Sequence, residues 1–206
     1  MALHVVNHPL AEHVLSALRD KNTSPAMYRT LCKRIAAVLL THAFENLELQ
    51  ERVVETPLCP CTTKVFRDPI VFIPVLRAGL ALLDPAITLI PEAKVGYFGL
   101  QRNEVTAQPE FYYKKLPDIK DAEVFVLDPM LATGGSSAFV LETLSKLPAK
   151  TITMVSVIAA PEGVELLMKK FPNVAIYTTA LDEKLNEQKF IVPGLGDFGD
   201  RFHGTL

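Results

Sequence analysis

The sequence has few cysteines and no excess of basic side chains. Its 206 residues include three cysteines, Cys32, Cys59 and Cys61. An odd number this small cannot build the paired disulfide framework of a secreted domain, so we expect reduced thiols in a cytoplasmic protein. Lys and Arg number 21 against 23 Asp and Glu, which gives a formal net charge of −2. Nucleic-acid-binding proteins usually carry a basic excess, so we expect no nucleic-acid partner.

Long apolar runs are also scarce, and one segment, residues 70–90, is the exception. It reads IVFIPVLRAGLALLDPAITLI, with Arg77 and Asp84 near its middle. Each of these charges would cost about 2.5–3.5 kcal/mol in a bilayer. We therefore expect a buried strand, a loop and a helix here, and no membrane partner. The first residues, MALHVVNHPLAEH, contain neither a basic stretch nor an unbroken apolar run, so we expect no export signal.

The composition predicts one α/β domain over residues 1–206. Hydrophobic residues make up 49% of the chain, enough for a sizeable core, and about 150 residues per domain is the usual scale. Strands buried on both faces are typically continuous apolar runs. Five such runs occur, at residues 70–76, 95–100, 124–128, 152–160 and 174–181.

Helical patterns separate several of these runs. Ser24 and Pro25 look like the N-cap and first residue of a helix that continues to about Phe44. Two more helices are predicted at 137–147 and 161–171. Strands and helices that alternate in this way predict right-handed parallel crossovers with helices on both faces of a sheet. The polar and aromatic segment 101–120 breaks the rhythm and predicts a protruding hairpin or a flexible loop.

The segment VFVLDPMLATGGSSAFVLETL predicts a phosphate site. A buried strand ends at Asp128, a loop rich in glycine and hydroxyl side chains follows, and a helix begins at once. Parallel sheets bind ligands beyond the carboxyl ends of their strands, where a helix N-terminus presents N–H groups to an anion. Asp128 is placed to accept hydrogen bonds from a sugar diol. The loop has neither GK[ST] nor GxGxxG, so a sugar phosphate fits it better than a nucleoside triphosphate or a dinucleotide.

Two arginines follow other predicted strands. Arg77 comes directly after the run 70–76, and Arg102 comes just past the run 95–100. A planar guanidinium suits bidentate contact with phosphate or diphosphate. Together with the loop, they indicate a ligand that carries phosphate at two places.

The last fifteen residues, VPGLGDFGDRFHGTL, hold four of the ten glycines. Glycine at this density lets the backbone approach a ligand closely, and the interleaved Asp197 and Arg201 argue against a frayed tail. The CPC sequence at 59–61 lacks the further ligands that zinc needs, so we expect a surface turn with two thiols.

These motifs resemble uracil phosphoribosyltransferases. The resemblance is carried by LRDKNTS, VLRAGL, DPMLATGGSS, AAPEGV, ALDEKLNE and VPGLGDFGDR, and it runs over nearly the whole chain. ATGG alone would indicate only the phosphoribosyltransferase superfamily, whereas DPMLATGG with PGLGD is far more specific. The resemblance implies a type I phosphoribosyltransferase core with a protruding hairpin arm and a small hood built from the chain ends.

The resemblance also implies the reaction and its residues. Uracil and 5-phosphoribosyl 1-diphosphate (PRPP) would give UMP and diphosphate in pyrimidine salvage. The predicted catalytic residues are Arg77, Arg102 and Asp128. The predicted PRPP-binding residues are Arg77, Arg102, Asp128, Pro129, Met130, Leu131, Ala132, Thr133, Gly134, Gly135, Ser136 and Asp197. The predicted uracil-binding residues are Ile191, Gly196, Asp197 and Phe198, mostly through backbone groups. Phe198 either walls the uracil pocket or packs the final loop.

The resemblance implies cofactors and partners as well. Mg²⁺ is expected as its PRPP complex, with no metal site built by the protein. A dimer or tetramer of identical chains is expected, and some members of the family respond to GTP. Two other functions fit the same residues: a regulator that senses PRPP or a nucleotide and binds RNA, and a phosphoribosyltransferase for another base. The net charge of −2 disfavours the regulator.

Overall fold

The computed structural model describes residues 2–102 and 109–205, and of residues 101, 102, 109 and 110 it describes the backbone alone. The helices in this part are α1 (Pro9–Arg19), α2 (Pro25–Ala43), α3 (Leu80–Leu89), α4 (Gly135–Leu144), α5 (Pro161–Lys170) and α6 (Phe198–His203). The longer strands are β1 (Leu3–Val5), β2 (Leu49–Glu55), β3 (Pro60–Phe66), β4 (Ile70–Leu76), β6 (Tyr97–Arg102), β7 (Pro109–Lys115), β8 (Glu123–Leu127), β10 (Thr151–Ala159) and β11 (Ala175–Leu181). Two-residue strands are β5 (Lys94–Val95), β9 (Met130–Leu131), β12 (Lys184–Leu185) and β13 (Ile191–Val192).

A mainly parallel sheet forms the centre of the molecule. Its strand order is β1-β11-β10-β8-β4-β6-β7, with β5 paired to β4 and β9 paired to β10. All neighbours in this order are parallel except β6 and β7, which are antiparallel. The predicted α/β class and parallel core are confirmed.

Strand β4 shows why these strands are continuous apolar runs. Ile70 and Phe72 belong to one hydrophobic core, whereas Val71, Ile73 and Val75 belong to the other. Successive side chains of a strand point to opposite faces, and here both faces are covered. A polar residue at most positions of β4 would therefore be buried.

Helices cover both faces of the sheet. Buried residues of α1, α2 and α3 lie in the first core, and buried residues of α4 and α5 lie in the second. Ser24 caps α2 as predicted, because its hydroxyl accepts a hydrogen bond from the Met27 N–H at 3.4 Å, and Pro25 is the first helical residue. The segment 70–90 forms β4 and α3. No helix in the described residues is long and apolar enough to span a membrane.

Most predicted element ends are within a few residues of the observed ones. The run 95–100 differs, because it is divided between β5 and β6 at Gly96. At Gly96 the backbone N–H donates to the Phe72 carbonyl at 2.9 Å, which keeps the chain beside β4 across the break.

Two antiparallel hairpins extend from the sheet region. Within the segment 101–120, β7 pairs with β6, so the predicted hairpin is confirmed; residues 103–108 lie outside the described part. The second hairpin, β2 and β3, was not predicted. Cys59 lies in its turn and Cys61 on β3, and both are exposed, as expected for a surface turn with two thiols.

The two ends of the chain meet. Helix α6 packs on α2, and the Arg29 guanidinium donates to the Phe202 carbonyl at 2.8 Å. The C-terminal segment is therefore joined to the N-terminal helices, which cover one face of the sheet; the hood expected from the chain ends stays a prediction.

Candidate active site

The loop after β8 is held by the neighbouring strand. The Pro129 carbonyl accepts hydrogen bonds from the N–H groups of Val157 and Ile158, at 2.9 and 3.1 Å. The Leu131 carbonyl accepts one from the Ala160 N–H at 2.9 Å. These three bonds hold the first part of the loop, which includes the short strand β9, against β10. The backbone from Pro129 to Leu131 is therefore held beside β10.

The second part of the loop leads into α4. Gly134 has φ +75°, a left-handed conformation that glycine adopts without steric cost. It turns the chain so that α4 begins at Gly135. The first N–H groups of a helix have no partner within the helix and carry its positive end charge. The hydroxyls of Thr133 and Ser136 lie at the same helix end, and the anion site expected here stays a prediction.

Helix α5 packs against the backbone of the loop between β8 and α4. A Cβ atom added to Gly163 would lie 2.4 Å from the Ala132 carbonyl oxygen, which is closer than atoms can approach. The absence of a side chain at Gly163 therefore lets α5 touch the loop backbone. This contact explains the glycine of the AAPEGV motif in structural terms.

Asp128 stands at the end of β8. Burial raises the pKa of its carboxyl group to about 7, and a hydrogen bond from the Met130 N–H, at 3.5 Å, works in the opposite direction. Desolvation disfavours the charged carboxylate. The Asp128 carboxyl therefore changes its charge near neutral pH.

Arg77 follows β4, on the turn into α3. Its side chain is 62% exposed, and its Nη2 atom lies 3.8 Å from Oδ1 of Asp200 on α6. The guanidinium is thus in solvent contact beside the C-terminal segment. A side chain in this position is accessible to an anionic ligand.

A cavity of about 300 Å³ lies between these elements. Seven predicted site residues line it: Arg77, Met130, Ala132, Ile191, Gly196, Asp197 and Phe198. Four residues that were not predicted also line it: Ala78, Lys189, Phe190 and Gly199. Of the missed residues, Ala78 and Gly199 are sequence neighbours of predicted ones, and the adjacency to Ile191 was the signal available for Lys189 and Phe190. The structure thus brings together Arg77, the C-terminal segment and the loop between β8 and α4, which we call the phosphate loop.

The remaining predicted residues lie beside this cavity, except Arg102, whose side chain the structure does not describe. Asp128, Pro129, Leu131, Thr133 and Gly134 lie between β8 and α4, and Gly135 and Ser136 are the first two residues of α4. Arg102 ends β6 at the same edge of the sheet, but its side chain lies outside the described residues. Its predicted contact with diphosphate stays a prediction.

The C-terminal segment that borders the cavity is organised by α6. Asp197 is its N-cap, because its Oδ1 atom accepts a hydrogen bond from the Asp200 N–H at 2.9 Å. Phe198 is 2% exposed and packs edge-on against Tyr28, with ring centroids 5.3 Å apart. Phe198 therefore packs the final segment against α2 and also lines the cavity; its place beside uracil stays a prediction.

A second cavity, of about 430 Å³, lies at the opposite, amino ends of the strands. Its wall includes Glu123 and Lys150, and the Lys150 ammonium is paired with Asp68 at 2.7 Å and with Glu123 at 3.1 Å. The positive charge is paired with carboxylates, and among the residues whose side chains the structure describes, no predicted site residue lines this cavity. We place the candidate site at the carboxyl ends.

Similarity to known proteins identifies the family. A family model described as uracil phosphoribosyltransferase matches residues 5–205. The chain belongs to the uracil phosphoribosyltransferase family.

Relatives in this family match over their full length. The uracil phosphoribosyltransferase of Campylobacter concisus is 45% identical over 203 residues, which are 98% of this chain and 98% of the relative. That of Bacillus thuringiensis is 46% identical over 205 residues, again with 98% of each chain covered. The recognition made from the motifs is thereby confirmed.

Solved structures agree with the fold. A protein of Aquifex aeolicus superposes with a TM-score of 0.95 at 38% identity, and 98% of each chain is covered. The hypoxanthine phosphoribosyltransferase of Trypanosoma cruzi superposes with a TM-score of 0.50 at 14% identity, covering 79% of this chain and 76% of the other. The second likeness shows that the two chains share a fold.

Proposed function

We propose that this member of the family transfers the phosphoribosyl group of PRPP to uracil and so produces UMP and diphosphate. In the reaction, the bond from ribose C1 to the diphosphate oxygen breaks, a bond from C1 to uracil N1 forms, and the N1 proton is released. The observation that carries the proposal is the full-length family match over residues 5–205. It is supported by a cavity that joins the phosphate loop to Arg77 and the C-terminal segment.

The loop between β8 and α4 is suited to hold the 5-phosphate of PRPP. Its backbone N–H groups and hydroxyls meet the phosphate at the positive end of α4. Asp128, at the start of the loop, would accept hydrogen bonds from the ribose hydroxyls when ionised. Arg77 and Arg102 would hold the diphosphate, for which a guanidinium provides parallel donors.

The other side of the cavity is suited to uracil. Ile191, Gly196, Asp197 and Phe198 line it, and their peptide groups offer both donors and acceptors. Uracil presents alternating carbonyl and N–H groups along its edge. Backbone groups held in fixed directions can therefore distinguish it from bases with a different pattern, because a mismatch leaves buried polar groups unpaired.

Catalysis then depends on positioning and on charge. Departure of diphosphate leaves a ribose with oxocarbenium character, so groups that neutralise the leaving group lower the barrier. Mg²⁺ bound to PRPP would add to that neutralisation through oxygen ligands. Within the described residues no group of three or more His, Cys, Asp or Glu side chains is arranged to hold a metal ion. Asp197 at the cavity wall offers the carboxylate oxygens that suit such a complex.

The proposal extends to the organisation of the protein. We expect residues 1–206 to act as one cytoplasmic domain that assembles into a dimer or tetramer, with GTP as a candidate effector. Val53 and Leu58 on the hairpin of β2 and β3 are 66% and 94% exposed. These apolar side chains favour contact with a second copy of the chain. Sedimentation of the purified protein, with and without GTP, tests this part.

The activity itself is tested by product analysis. The protein is incubated with PRPP, MgCl₂ and one base at a time: uracil, orotate, hypoxanthine or adenine. We expect UMP and diphosphate from uracil alone. Turnover of another base in place of uracil would assign the same chemistry to a different substrate. If no base is turned over and the protein instead retains RNA in a binding assay, the regulator is favoured.

A further inference from the structure

Two arginines connect the wall of the cavity to the end of helix α1. The first is Arg19, the last residue of α1. Its Nη1 atom donates to Oδ2 of Asp182 and to the Gly194 carbonyl, both at 2.9 Å, and its Nη2 atom donates to Oδ1 of Asp182 at 2.6 Å. Asp182 in turn accepts a hydrogen bond from the Gly194 N–H at 2.9 Å. Both the N–H and the carbonyl of Gly194 are therefore held by one ion pair.

The second arginine, Arg201, belongs to the C-terminal segment and donates to the end of α1. Arg201 lies on α6, and its Nη1 atom donates to the Leu195 carbonyl at 2.8 Å and to the Leu18 carbonyl at 2.6 Å. Its Nη2 atom donates to the Asp20 carbonyl at 2.6 Å. The guanidinium also lies 4.4 Å above the ring of Tyr28. Arg201 thus fixes the residue that follows Gly194 to the same end of α1.

We name Arg19, Asp182 and Arg201 the arginine latch. Its members are far apart in the sequence, since 163 positions separate Arg19 from Asp182. The Asp182 side chain is 4% exposed and that of Arg19 26%. A buried carboxylate with a bidentate arginine has a well-defined geometry. The latch therefore holds the backbone at Gly194 and Leu195 in one place.

The held residues come directly before the cavity wall. Gly196, Asp197 and Phe198 follow Leu195 in the chain and line the cavity, whereas none of the three latch residues is among its lining in the described part of the chain. A displacement of about 1 Å in a group that orients a substrate costs about 100-fold in rate. A wall that reads a base through its backbone depends on such support.

We propose that the arginine latch positions the backbone that binds the base, and that it governs affinity for uracil rather than for PRPP. The inference rests on the proposed function. It makes Arg19, Asp182 and Arg201 positioning residues: they act through residues 194–198 and do not touch the substrate. The loop between β8 and α4 is held separately, by β10 and α5, and the Asp197 side chain is held by the Asp200 N–H of its own helix. We therefore expect the latch to affect PRPP binding much less than uracil binding.

The experiment compares KM for uracil with KM for PRPP in latch variants. In Arg19→Ala and Asp182→Asn we expect the uracil KM to rise about 10- to 100-fold, the effect of losing one or two charge-assisted hydrogen bonds. The PRPP KM should stay within about twofold of the wild-type value. Arg19→Lys keeps the charge but cannot span both carboxylate oxygens and the Gly194 carbonyl, so we expect a smaller rise.

Arg29 provides the matched control. It is also an arginine of the N-terminal helices, and it donates to carbonyls of the C-terminal segment, those of Phe202 and His203. These carbonyls lie at the far end of α6 from the cavity wall. Arg29→Ala should lower the melting temperature to a similar degree as Arg19→Lys but leave the uracil KM unchanged.

The outcomes separate the two proposals. If the wild-type protein does not turn over uracil, the proposed function fails. If it does, and the latch variants lose thermal stability with no change in uracil KM, or lose affinity for both substrates equally, the positioning role is overturned. If Arg19→Ala does not fold, Arg19→Lys decides: an unchanged uracil KM, together with unchanged hydrogen exchange at the Gly194 N–H, contradicts the latch.

Discussion

The guanidinium of Arg77 and the carboxylate of Asp200 face each other at the rim of the cavity, with Nη2 and Oδ1 3.8 Å apart. Arg77 is 62% exposed and Asp200 35%. An ion pair in such contact with water contributes at most about 1 kcal/mol to stability. The cost of turning Arg77 away from Asp200 toward a bound diphosphate is correspondingly small, so the position suits ligand binding better than support of the fold.

Arg77→Ala should impair catalysis and spare the fold. We expect kcat/KM for PRPP to fall about 10²- to 10³-fold, the usual effect of removing one charge contact to a developing anion. The melting temperature should change little, because an exposed ion pair contributes at most about 1 kcal/mol to stability. Steady-state kinetics and thermal unfolding measure the two quantities.

Lys33 supplies the control for Arg77. It forms another exposed ion pair, with its Nζ atom 2.6 Å from Oδ2 of Asp84 and both side chains more than half exposed. Lys33→Ala removes a similar pair remote from the cavity, so its kinetics should match those of the wild type. Equal kinetics in Arg77→Ala and Lys33→Ala would remove Arg77 from the site.

Asp128 should make PRPP binding depend on pH. Burial raises the pKa of its carboxyl group to about 7, so the carboxylate that accepts hydrogen bonds from ribose hydroxyls is lost as the pH falls below 7. If Asp128 binds the ribose hydroxyls as proposed, the PRPP KM should rise between pH 7.5 and pH 6, a range that spans this pKa. In Asp128→Asn the KM should be higher and nearly independent of pH. A wild-type KM that is constant over this range contradicts the assignment.

The same pKa sets the sign of the stability change. The folded protein keeps a proton on Asp128 that the unfolded chain releases between about pH 4 and pH 7, so the free energy of unfolding decreases as the pH rises through this window. The loss amounts to at most about 4 kcal/mol, since one pKa unit corresponds to about 1.4 kcal/mol. Urea unfolding at several pH values should show that Asp128→Asn is more stable than the wild type above pH 7.

Gly163→Ala should disturb the phosphate loop. The added Cβ would lie 2.4 Å from the Ala132 carbonyl oxygen, so α5 or the loop must move. We expect a loss of about 1–3 kcal/mol in the free energy of unfolding and a raised PRPP KM. Helix propensity alone predicts the opposite sign, a gain of about 0.5–1 kcal/mol.

The exposed neighbour Glu165 on the same helix controls for general effects of substitution on α5. Glu165→Ala should change stability by no more than about 0.5 kcal/mol. If Gly163→Ala proves as stable as Glu165→Ala and binds PRPP normally, the close contact between α5 and the loop is needed neither for stability nor for PRPP binding.

The three cysteines should differ in reactivity. Cys59 and Cys61 are exposed, whereas Cys32 is buried, and burial raises the pKa of the Cys32 thiol to about 12. Only the thiolate reacts with alkylating reagents. Mass spectrometry after iodoacetamide treatment at pH 8 should therefore find two modified thiols in the native protein and three in denaturant. Rapid modification of Cys32 in the native protein would contradict the burial of α2.

The sheet was predictable because its strands are buried on both faces. In β4 and β8 this burial leaves continuous apolar runs. Each predicted run except 95–100, which is divided between β5 and β6, corresponds to one observed strand within one or two residues. The hairpin of β2 and β3 left no such pattern, since nearly all of its residues are exposed on both faces. Without a buried face, a strand has no alternation to detect.

The site was predictable where its residues follow strands in the sequence. Asp128 and Arg77 each come after a buried run, so their neighbourhood at one sheet edge follows from the parallel topology. The contact of Arg19 with Asp182 and Gly194 could not be predicted in this way. It joins residues more than 160 positions apart, and no local pattern in the sequence specifies which helix end meets which loop.

The most direct test of the account is a crystal structure of the protein with UMP. We predict the phosphate of UMP at the N–H groups of the loop from Leu131 to Ser136 and the base against the backbone of Gly196 and Phe198, with the ribose hydroxyls beside Asp128. A nucleotide bound elsewhere, or a base that does not contact residues 196–198, would contradict the account.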